Sequence, residues 1–126
     1  RMLGLHWAGA PDAQVKEATR QLIATQRQDG GWSQLENLSS DAYATGKAVY
    51  ALSQLRNSRH TVADAETAMS RGARYLRETR LADGSWHVVT RAFPFQPLKD
   101  SGFPHGRDQW ISAAGTSWAV MAVLET

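Results

Sequence analysis

The sequence contains no cysteine. That absence excludes disulfides, thiolate zinc sites and cysteine nucleophiles, and it leaves both cytoplasm and an exported location open. No apolar run approaches the roughly 20 residues needed to cross a bilayer as a helix, so no membrane span is expected. The opening Arg1-Met2-Leu3-Gly4 leads into a short mixed stretch without the three-part pattern of a signal peptide. The seven aspartates, at 12, 29, 41, 64, 83, 100 and 108, never cluster. His6, His60, His87 and His105 are scattered, and no His-x3-His spacing occurs, so neither metal nor cofactor is expected. Charge of one sign is also scarce, with a formal net of +2. The basic residues are not clustered with exposed aromatics, which argues against a nucleic-acid surface.

What is present is helical patterning broken by strong turns. The 126 residues suffice for one domain with its own core. Since the first residue is Arg1, the chain is read as a single domain, 1–126, excised from a longer and bacterial polypeptide. After Asp12, a candidate N-cap, Val15, Ala18, Leu22 and Ile23 recur on one helical face, and this first helix should end near Gln26. Ser39, Ser40 or Asp41 can cap a second helix with the stripe Thr45, Ala48, Val49, Leu52 and Leu55, ended by Asn57-Ser58. A third helix opens near Thr61 or Asp64, with the apolar face Ala65, Ala68, Met69, Gly72, Ala73 and Leu76. Arg71, Arg74, Arg77 and Arg80 fall largely on its other faces. An irregular stretch from His87 to Asp108 holds Pro94, Pro97, Gly102, Pro104 and Gly106 and cannot be a continuous helix. Its Phe93, Phe95 and Phe103 are expected to cover helix ends. A fourth helix, about Gln109 to Leu124, is apolar nearly all round. It therefore demands cover from the rest of the parent chain or from a second subunit.

Two segments repeat. Leu22, Gln26, Gly30 and Trp32 match Leu76, Arg80, Gly84 and Trp86 at an offset of 54 residues. Ala48-Val49-Tyr50-Ala51-Leu52 matches Ala119-Val120-Met121-Ala122-Val123 at an offset of 71. The second copy thus carries about 17 additional residues between its Trp and its last helix. Repeat one spans about 12–57 and repeat two about 61–126. Gln28-Asp29-Gly30-Gly31 and Asp83-Gly84-Ser85 are the corresponding turns, with glycine free to take positive φ.

The spacing Leu-x3-Gln-x3-Gly-x-Trp resembles the QW motif of squalene–hopene and oxidosqualene cyclases. Similar repeats occur in protein prenyltransferase β subunits and other α/α-toroid proteins. The resemblance covers nearly the whole chain. It implies an all-α fold of two stacked helical hairpins, four main helices in all. This is part of an α/α toroid, with a long irregular insertion before the last helix. It also implies that Gln26 ties the end of one helix to the start of a neighbour while the Trp32 ring stacks on it. A Gln amide can serve both the N–H and the C=O groups left open at helix ends. In the second copy Arg80 stands for Gln and cannot accept a hydrogen bond, so Trp86 is expected to stack beneath its guanidinium. Gln26, Gly30, Trp32, Arg80, Gly84 and Trp86 are read as staples of the fold.

The chemistry of the family does not carry over residue by residue. Its cyclases protonate substrate with an Asp-x-Asp-Asp acid, absent here. Zinc-dependent prenyltransferases and thioester relatives need the cysteine this chain lacks. The candidate ligand-contacting region is the insertion from Arg91 to Trp110, specifically Phe93, Phe103, His105, Arg107, Asp108 and Trp110. His105 could act as a base oriented by Asp108, or Arg107 could clamp a carboxylate; equally, Asp108 could cap the fourth helix, Arg107 pair with a nearby acid and His105 sit in a turn. The expected function is a non-catalytic scaffold or ligand-recognition module of a larger protein, with a small-molecule ligand possible. One alternative is a piece of a toroid enzyme acting on an isoprenoid or a polysaccharide. Another is a protein-interaction domain docking through its fourth helix.

Overall fold

In the computed structural model of the protein, which describes residues 1–93 and 99–126, five α-helices run in the order α1 (Met2–Trp7), α2 (Asp12–Ala24), α3 (Ala42–Ser53), α4 (Ala65–Thr79) and α5 (Gln109–Leu124). A short 3-10 turn, Gly106–Asp108, leads into α5. The fold is all-helical, with no strand among the described residues. Pro94, Phe95 and Pro97 lie outside the described residues.

The helices form two layers. Inner α3 and α5 lie side by side; α4 packs against α3 and reaches α5, α2 adjoins α4, and α1 packs on α2. The apolar stripe of α4 is the buried one, Ala65, Ala68, Met69, Gly72, Ala73 and Leu76. On α3, Thr45, Ala48, Val49 and Leu52 are buried, as is Leu55 just beyond it. These faces meet Val15 of α2 in one core. Glycines set the closest approaches. A Cβ on Gly72 would lie 2.4 Å from Val49 Cγ2 and 2.8 Å from Trp32 Cζ3, so α4 rests directly on the ring of the first repeat.

Three local expectations change. The N-cap of α2 is Pro11, and Asp12 turns its carboxylate to Arg59 Nε at 2.9 Å and His60 Nε2 at 3.1 Å. Helix α3 ends at Ser53, before Asn57, which takes φ 63 in the following turns. The six-residue α1 forms ahead of the first expected helix, in a segment without a capping side chain. Its Met2 is buried, and its His6 donates from Nδ1 to His60 Nδ1 at 2.9 Å while His60 serves Asp12. That relay joins α1, α2 and the α3–α4 connection. By contrast Asp41 caps α3 as expected, accepting from the Ala44 amide at 2.8 Å.

Helix α5 is less covered than its composition demands. Trp110, Val120, Met121 and Leu124 remain exposed.

Candidate functional site: the repeat corners, the insertion and a cationic cleft

The two repeat corners share their turn and tryptophan hydrogen bonds. Gly30 takes φ +87 and Gly84 φ +85. Asp29 accepts from the Gly31 amide at 2.9 Å, and Asp83 from the Ser85 amide at 2.9 Å. The indole N–H of Trp32 goes to Leu22 O at 2.8 Å, and that of Trp86 to Leu76 O at 2.8 Å. The Trp32 amide meets Thr45 Oγ1, and the Trp86 amide Thr116 Oγ1, across the second offset. Trp32 and Trp86 are therefore alike in burial and in hydrogen bonding.

Gln26 acts as a link between helices, but only as a donor. Its Nε2 gives hydrogen bonds to Gly30 O and to Ala68 O of α4, each at 2.8 Å. Arg71 of α4 returns a bond to Arg27 O at 2.8 Å. Arg80, in the Gln position of the second copy, is exposed, and no guanidinium–indole stack forms at Trp86 among the described residues.

The insertion is tied down to the second corner by histidines. His87 Nε2 stands 2.7 Å from Asp108 Oδ2, and the Thr90 amide donates to Asp108 Oδ1 at 2.9 Å. The His105 ring stacks on that of His87, with centroids 4.9 Å apart, and its Nε2 lies 2.8 Å from Ser85 Oγ. Ser85 spends its proton on Asp83 at 2.7 Å, so the His105 N–H donates to Ser85. This reverses the arrangement of a nucleophilic serine with a histidine base. Asp108 holds position ahead of α5 without capping it, and its partner is His87 rather than His105. Of the other candidates, Phe103 is half-buried at the edge of His105, whereas Phe93, Arg107 and Trp110 are exposed.

The Thr90 amide, then the His87 bond, hold the Asp108 carboxyl below its ordinary 3.8, against the opposite pull of burial. Ser85 does the same for Asp83 through its hydroxyl and amide. A depressed folded-state pKa gives stabilisation that is complete above the unfolded value of 3.8 and disappears as pH falls through the lower folded value. Asp108→Ala should therefore release the Thr90 amide, with hydrogen exchange there faster by about tenfold or more, while exchange in α4 stays unchanged. In the parent chain the same release should occur on acidification below pH 3.8. Unaltered Thr90 exchange in the variant would show that Asp108 does not hold this corner.

A feature missed in the sequence lies at the other end. A cleft of about 600 Å³ opens between α1, α2 and α3. Leu3, Leu22, Trp32, Ala48 and Trp118 supply apolar walls, and Arg1, Lys47 and Arg91 supply three cations with no acidic residue in the lining. Arg91 is steered there by Gln34, whose Oε1 accepts from its Nε at 2.8 Å. Lys47 Nζ sits 4.7 Å over the Tyr43 ring. At the offset of the inner helices, Lys47 stands where repeat two has Trp118, which packs edge-on to Tyr50. A charge thus replaces a half-buried ring on this side, the signal in the sequence that marks the face as wet. The volume falls in the usual range for small-molecule sites, and the lining suits an apolar body with an anionic end.

Among characterised proteins, the chain is similar to labda-7,13-dienyl diphosphate synthase of Streptomyces clavuligerus, 42% identical over 69 residues. The match takes in 55% of this chain but 12% of the synthase, so the chain spans about an eighth of that relative. No family model matches the chain, and no solved structure matches it significantly. The partial likeness is compatible with a segment of a terpene-cyclase-like protein.

Proposed function

We propose that this chain is a non-catalytic segment of a terpene-cyclase-like protein, built of two QW-type repeats of an α/α toroid, that recognises an isoprenoid diphosphate in the cationic cleft. The observation that carries the non-catalytic reading is the employment of the carboxylates. Asp29, Asp83 and Asp100 accept amides in their own turns, Asp41 caps α3, Asp108 holds Thr90 and His87, and Asp12 pairs with Arg59. The carboxyls of Asp12, Asp83 and Asp108 are shifted down. A general acid for carbocation chemistry requires the opposite, a carboxyl kept protonated at working pH. The ligand class rests on the cleft, where cations surround an apolar hollow, and on the diphosphate in the name of the similar synthase.

The chain incubated with geranylgeranyl diphosphate should bind it saturably and return it unchanged. Lys47→Ala with Arg91→Ala should weaken binding by about tenfold or more, through loss of charge-assisted contacts. Any cyclised product would overturn the non-catalytic reading. Equal affinity for the uncharged alcohol would overturn recognition of the diphosphate. The match to a synthase favours a second reading, in which this segment walls an active site whose acid lies elsewhere in a longer polypeptide; a longer protein then turns over the substrate and the segment alone does not.

A further inference from the structure

The two repeats differ in what covers them. In repeat one, α4 lies on the corner and on Val49, which is 0% exposed. The matching Val120 in repeat two is 44% exposed, and Leu124 is 80% exposed. A Cβ on Gly30 would meet Arg71 O at 2.7 Å, while one on Gly84 meets nothing within 4 Å. Where α4 would stand one repeat further on, there is an open cleft of about 410 Å³, lined by Arg77, Arg80, Trp86, Val120 and Leu124 among others.

We propose that this edge is the seat of a third outer helix of the α4 type, supplied by a further repeat of the same polypeptide. The first repeat serves as the template for what that helix must be. It carries glycine over Trp86, as Gly72 lies over Trp32, since a larger side chain there meets the ring and the valine. It presents a main-chain carbonyl to Arg80, as Ala68 does to Gln26. Both bonds of Gln26 are donated, so Arg80, with five N–H donors, fills the role without needing to accept. The inference stands on the repeat geometry alone and holds whether or not the cationic cleft takes an isoprenoid.

The test extends the chain by its own module. A copy of residues 54–80 is joined after Leu124, the counterpart of Ser53, in place of the last two residues. Hydrogen exchange is then followed at the α5 amides and the Trp86 indole. Exchange should slow by about tenfold or more relative to the parent chain. The gain should vanish when the copied segment carries Gly72→Leu and shrink with Arg80→Ala, a change that leaves the unextended chain as stable as before. An extension that gives no protection, or equal protection with and without the Gly72→Leu change in the copy, overturns the proposal. So does concentration-dependent dimerisation of the parent chain in sedimentation that Leu124→Glu abolishes, because a second copy would then be the occupant.

Discussion

Gly46→Ala should add one of the most damaging single methyl groups that this protein could take. Gly46 is buried in α3, where a Cβ would lie 2.6 Å from the carbonyl carbon of Trp118, 2.7 Å from the Ala119 nitrogen and 2.8 Å from Trp118 O. These are backbone atoms of α5, and they cannot rotate aside. The inner helices must separate, and Tyr50 and Trp118 lose their edge contact, with centroids now 5.6 Å apart. Overpacking costs about 1–3 kcal/mol and more where backbone must move, whereas the gain in helix propensity from Gly to Ala is at most about 1 kcal/mol. A net loss of about 2 kcal/mol or more is expected, a large share of a domain stability of about 5–15 kcal/mol. Gly115→Ala is the control. Its new atom meets the side-chain carbon Val88 Cγ2 at 2.7 Å, which can yield in part, so the loss should be smaller. Urea denaturation of both variants decides the matter. A Gly46→Ala protein with an unshifted midpoint would mean that α3 and α5 do not approach so closely.

Trp32→Ala should cost more still, about 3–5 kcal/mol, the range for a buried large aromatic. The ring lies beneath Gly72 and ties its N–H to Leu22 O, so its removal opens a void between the two hairpins and frees a carbonyl. Trp86→Ala removes an equally buried ring with the same hydrogen bond, yet its loss should be smaller by about 1 kcal/mol or more. Each ring borders a cleft, but Trp32 also has Gly72 of α4 packed against it, a cover that Trp86 lacks, so removing Trp86 forfeits fewer contacts. Thermal or urea unfolding of the pair measures the difference. An equal or larger loss for Trp86 would show the second corner to be as enclosed as the first.

Much of the architecture was written locally. The stripe of α4 matched its buried face residue by residue, Asp41 capped α3, and α5 began and ended where expected. Two corners 54 residues apart could be paired because the same Asp-Gly turn and Trp recur at a fixed spacing. The failures share a cause. The Asp12 carboxylate left its own helix for Arg59 and His60, and Asp108 chose His87 over His105, partners 21 to 48 residues distant. The donor-only role of Gln26 could not be told from its identity, since an amide offers both functions and its surroundings decide which is used. Helix α1 has a glycine inside six residues and no capping side chain, so little in its own segment specifies it. The relay through His6 and His60 helps hold it.

The amino-acid sequence by itself determined the helices, the glycine corners and the twofold repetition, because each depends on periodicity or turn chemistry within a few neighbouring residues. Only the tertiary structure decided that Lys47, Arg91 and Arg1 face one hollow, and that the first repeat is covered where the second is bare. Those properties belong to surfaces assembled from distant segments. They arise from which side chains the packing of helices leaves without a neighbour, a quantity that no local pattern contains.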